Sequence, residues 1–146
     1  MPIRRIHGHF HASFYEECWR ENIDIIWPVN KADVDRFCLN QYAADNPPDN
    51  DEWGAQCLSV THHGCHSNLI CIRKWCRDNE HTAMLVHECQ HAVINIMDRA
   101  SVQISTHTDE AVAYLIESLF LRCIRLLNTK RKTRTCKSLT LTSSAT

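Results

Sequence analysis

The chain has 146 residues, 44% hydrophobic and 23% charged, with a formal net charge of -1. Such a chain can bury one domain's core, which excludes bulk disorder, and its charge gives no reason to expect binding to nucleic acid or membranes. No apolar run approaches the roughly 20 residues of a membrane-spanning helix, and MPIRRIHGHF has no apolar stretch after its basic residues, so a secretion signal is not expected.

Residues 1–20 are rich in His and aromatic side chains and show no clean period. Ile23–Val29 is β-branched and meets Pro28, which predicts a strand and its exit. Lys31–Tyr42 places Val34, Phe37, Cys38 and Tyr42 at helical spacing. Asp45–Gly54, with Pro47-Pro48 among acids and amides, predicts a loop. Gln56–Thr61 predicts a second strand, Thr61–Ser67 a polar loop and Asn68–Trp75 a third strand, an edge strand or an ordinary core strand.

Two helices are expected next. The first runs from about His81 to Arg99, with Val86, Cys89, Val93 and Ile96 as its apolar stripe. The second runs from about Asp109 to Leu127, with Val112, Leu115, Ile116, Leu119, Phe120, Cys123 and Leu127 over a broad face and a capping box from Thr106 to Asp109. Strands followed by two helices predict an α+β fold, residues 1–128 forming the single domain. Residues 129–146 carry Lys130, Arg131, Lys132, Arg134 and Lys137 without an acid. They predict a solvated, disordered tail with at most a weak affinity for nucleic acid or an acidic surface.

The 9 cysteines are odd in number. Reduced thiols in a cytosol-like compartment are expected, with Cys89 and Cys123 as small core residues. A structural zinc cluster among His62, His63, Cys65, His66, Cys71 and Cys76 is conceivable, but these residues form no CxxC pair.

The motif that carries chemistry is His87-Glu88-Cys89-Gln90-His91, an HExxH. Residues four apart on a helix project from one face, so both imidazoles can reach one ion at about 2.0–2.1 Å. Glu88 is turned off their axis, toward a water on the metal rather than the metal itself. A catalytic site needs a third ligand and an open position. His91-Ala92-Val93-Ile94 lacks the glycine that turns the chain to a nearby third histidine, which excludes the metzincin pattern. An acid from the next helix is the alternative.

Glu110 follows His91 with eighteen residues between them. Over about Asn68–Leu127 the chain resembles the gluzincin zinc metallopeptidases, and the HExxH-x18-E spacing resembles their aminopeptidase branch, although that branch's exopeptidase signature is not found upstream. The motif, with Thr108-Asp109-Glu110-Ala111-Val112-Ala113-Tyr114-Leu115 after it, also looks like the compact HExxH proteins encoded in tailed-phage genomes. The resemblance implies a zincin-like fold, a small sheet packed on the HExxH helix and a following ligand-bearing helix. It implies Zn2+ held by His87, His91 and Glu110, with Glu88 as general base and proton shuttle.

Other roles stay open. Asp109 suits a cap, Glu117 could orient a histidine, and Tyr114 could donate a hydrogen bond to a tetrahedral intermediate or simply pack. The expected activity is zinc-dependent hydrolysis of a peptide or amide bond. The alternative is a non-catalytic structural or assembly protein, perhaps of a phage particle, that retains the fold and its metal. The expected partners are a peptide or protein substrate or phage structural proteins, in the host cytoplasm or the virion.

Overall fold

The computed structural model describes residues 3–6, 8–17, 19–42, 54–62 and 65–129. The basic tail from residue 130 and most of the predicted Asp45–Gly54 loop lie outside them. The strands are β1 (Arg4–Ile6), β2 (His9–Glu16), β3 (Glu21–Trp27), β4 (Ala55–His62) and β5 (Cys65–Ile72). The helices are α1 (Lys31–Tyr42), α2 (Asn79–Arg99) and α3 (Asp109–Thr129). The fold is α+β, with one five-stranded sheet in the order β1-β2-β3-β5-β4. β3 and β5 are parallel, and the other pairs are antiparallel.

β3 reads as a near-continuous apolar run because it is central and covered on both faces. Ile23 and Ile25 pack with Phe14, Ile70 and Ile72 against α2 and α3, while Ile26 packs with Leu69 and Cys71 against Val34, Phe37 and Cys38 of α1. Helices therefore cover both sheet faces. Burying each of these side chains contributes about 1.5–3 kcal/mol relative to leaving it in water.

Two local readings are corrected and one open choice is decided. The first twenty residues hold the hairpin β1–β2, whose core-facing Phe10, Ala12 and Phe14 alternate with polar or amphipathic neighbours. The predicted loop Thr61–Ser67 is mostly strand, because β4 and β5 pair as far as His62 opposite Cys65. Of the two readings of Asn68–Trp75 the core strand is the one observed: β5 is interior, so the edge strand beside the motif helix is β4.

α2 and α3 pack on each other and on the sheet. The buried residues of α2 are Leu85, Glu88, Cys89, Ala92, Val93, Ile96 and Met97. Val86, expected in the stripe, is 39% exposed, and Leu85 takes the core position. At the start of α3 the first helical bond runs from the Val112 N–H to the Thr108 carbonyl. Thr108 thus holds the N-cap position expected of Thr106. No helix among the described residues is long and apolar enough to cross a membrane. The described cysteines are all free.

Candidate metal centre

α2 begins at Asp78, whose extended backbone lets its carboxylate accept the His81 N–H at 2.8 Å. From that start the apolar positions turn Leu85, Cys89, Ala92, Val93 and Ile96 inward, which leaves His87 and His91 on the exposed face. Their Nε2 atoms lie 3.0 Å apart, and their ring planes are perpendicular. Two nitrogens bound to one tetrahedral zinc at 2.0–2.1 Å would stand about 3.3 Å apart. The pair therefore fits a shared ion with a shift of a few tenths of an ångström.

Glu88 is 6% exposed and lies between α2 and the sheet edge. The ladder bond from the Arg73 N–H to the Gly54 carbonyl sets the phase of β4, so Ala55, Cys57 and Ser59 turn their amides away from β5. The outward Cys57 N–H donates to the Glu88 carboxylate. A cleft of about 330 Å³ joins these parts, lined by Ala55, Gln56 and Cys57 of β4 and by His87, Glu88 and His91 of α2.

Burial raises the Glu88 pKa above the ordinary carboxylate value, with His87, His91 and the Cys57 amide opposing the shift. Burial likewise pushes the Cys57 thiol well up, reinforced by Glu88 and Cys89. Cys57 is therefore a neutral thiol at the back of the cleft. Cys89 is hydrogen-bonded to Cys123 in the core, as small apolar packing residues would be.

The raised Glu88 pKa has a stability consequence. A carboxyl that keeps its proton longer when folded than when unfolded makes stability fall as pH rises from the ordinary carboxylate range through the raised value. Metal-free Glu88→Gln is accordingly expected to melt above metal-free parent at about pH 7.5 and level with it near about pH 4. Thermal unfolding at the two pH values checks this, and a melting point below the parent's at the higher pH would refute it.

The structure thus brings His87, Glu88 and His91 to one cleft. Glu110 and Tyr114 do not line it. Glu110 is exposed in the first turn of α3, its N–H bonded to Asp109 Oδ1, while the N-cap position belongs to Thr108 and not to Asp109. Tyr114 is 64% exposed, and Glu117 is exposed on the same stripe of α3.

Among the described residues, one group of three metal-ligating side chains has all its ligand atoms within 4.8 Å of one another, and it is Cys76, Asp78 and His81. That group could hold a metal ion. It shares only Cys76 with the cluster considered from sequence. Cys71 is fully buried on the α1 side of the sheet, and His66 pairs with Thr61 at the hairpin. The sequence reading did not single out Asp78 and His81; the signal available was Cys-x-Asp-x-x-His.

No family model matches this chain, and neither a curated protein nor a solved structure matches it.

Proposed function

We propose that the protein is a zincin-like, zinc-dependent hydrolase of peptide or amide bonds, with His87 and His91 as metal ligands and Glu88 as general base. The observation that carries this reading is the common cleft of His87, Glu88 and His91 under an edge strand, the two Nε2 atoms 3.0 Å apart. Glu110 is the proposed third ligand, reached from the start of α3. A bound zinc ion would supply Lewis acidity and lower the pKa of its water toward about 7.

The chain's own residues do the rest. Glu88, held by the Cys57 amide, accepts a proton from the attacking water and returns it to the leaving nitrogen. The low exposure of Glu88 keeps bulk water from competing for that proton. The outward amides of Ala55 and Ser59 on β4 offer main-chain hydrogen bonds to an extended substrate.

The positions of Glu110 and Tyr114 outside the cleft favour a second reading, a metal-carrying assembly protein, perhaps of a phage particle, that does not turn over. Metal analysis joined to a broad peptide-library assay separates the two. The expected result is one metal equivalent bound through His87 and His91 and lost in His87→Ala, with a weaker site in Glu110→Ala and cleavage by the parent alone. Metal bound at the histidines without any cleavage supports the assembly reading. Undiminished metal at those histidines' site in His87→Ala refutes both.

A further inference from the structure

A second cluster of ligating side chains stands apart from the cleft, where β5 passes into α2. Cys76 and His81 are half-buried, and Asp78 is exposed. His81 Nδ1 lies 2.7 Å from Asp78 Oδ1, and the ring stands edge-on to Trp75. The connection is pinned to the far end of α3, because Trp75 Nε1 and Arg77 Nε both donate to Asn128 Oδ1, at 3.2 and 2.8 Å, and Arg77 Nη2 donates to the Asn128 carbonyl.

We propose that Cys76, Asp78 and His81 form a second metal site, a sulfur–oxygen–nitrogen set for a divalent zinc-class cation that clamps the start of the motif helix. This inference does not rest on the hydrolase reading. The donor set selects the ion: thiolate and imidazole favour zinc or cobalt over magnesium or calcium, which want oxygen alone. Charge is consistent with that assignment, since a thiolate and a carboxylate neutralise a divalent ion. They also offset the positive helix N-terminus and the nearby Lys74 and Arg77.

The three ligand atoms lie within 4.8 Å of one another and must adjust to sit around one ion. Ligands of one tetrahedral ion stand about 3.3 Å apart, so the Nδ1–Oδ1 pair opens by about half an ångström as the ion replaces the hydrogen between them. The imidazole proton then resides on Nε2, and the Cys76 thiol gives its proton to solvent. Asp78 Oδ1 keeps the His81 N–H, which preserves the helix cap. The fourth coordination position faces water.

The test is cobalt(II) added to the metal-free full chain. Sulfur ligation produces a thiolate-to-cobalt charge-transfer absorption that the proposed two-histidine, one-carboxylate site does not. The band is expected in the parent and in the His87→Ala/His91→Ala double variant, with one equivalent bound in the latter. It is expected to be lost in Cys76→Ser and in His81→Ala, with circular dichroism confirming that each variant is folded. Absence of the band from the parent overturns the proposal. So does a band that survives Cys76→Ser, or one that disappears with His87 and His91, which would place the sulfur ligand in the cleft, at Cys57.

Discussion

Glu88→Gln is expected to leave the metal content at the parent level and to lower peptide hydrolysis by about 10²–10⁴-fold. The substitution is nearly isosteric, and the amide oxygen can still accept the Cys57 N–H, so the packing between α2 and β4 is kept. What is lost is a basic oxygen able to take a proton from water and pass it on. The effect should appear in kcat more than in KM, because the carboxylate acts on the transition state rather than on substrate binding. Two measurements decide the matter: metal stoichiometry of the purified variant, and initial rates on any peptide the parent cleaves. Cleavage at the parent rate would remove Glu88 from the chemistry. A joint loss of metal and activity would make it a structural support of the site instead.

The parts of the site that were legible in sequence are those set by short-range periodicity. α1 has the predicted bounds Lys31–Tyr42, and α2 and α3 agree with their expected spans to within two residues at either end. The 3.6-residue period repeats over several turns there, and every turn adds to the signal. The same period places His87 and His91 on one face. The errors arise where neighbours in space are distant in sequence. β2 was hidden because His9, His11, Ser13 and Tyr15 fill its other face, and histidine and tyrosine are compatible with either environment.

Strand order lies outside what a local pattern carries. The sequence therefore leaves Asn68–Trp75 open between edge and core strand; in the fold it is interior and the edge belongs to β4. Glu110 is the instructive case. Its spacing from His91 is a sequence fact, but its side-chain position depends on the turn Ala100–Thr108 and on the rotation of α3, and neither is encoded in a residue count. Cys76, Asp78 and His81 failed to stand out because Cys-x-Asp-x-x-His is neither a CxxC nor an HExxH spacing.

Arg99→Ala is expected to cost about 3–5 kcal/mol of unfolding free energy, a fall in melting temperature on the order of 10 °C. Arg99 ends the motif helix, and its guanidinium reaches across the sheet face. Nε and Nη2 donate to the two carboxylate oxygens of Glu21 at 2.7 and 2.8 Å, a bidentate pair, and Nη1 donates to Ser59 Oγ at 2.8 Å. Both charged side chains are largely shielded, at 17% and 8% exposure. Deleting the arginine would leave the Glu21 carboxylate buried at the head of β3 with no counter-charge, and that uncompensated charge is the larger part of the loss. Arg99→Lys keeps the charge without the fork and should fall between. Arg99→Met combined with Glu21→Gln removes both charges and should recover part of the stability, so a denaturant-melt double-mutant cycle isolates the coupling. The same arginine ties α2 to the strand whose Cys57 amide holds Glu88, so cleavage should weaken in Arg99→Ala even at temperatures where the variant is folded. A variant within about 1 kcal/mol of the parent would show that the helix is seated by its apolar face alone.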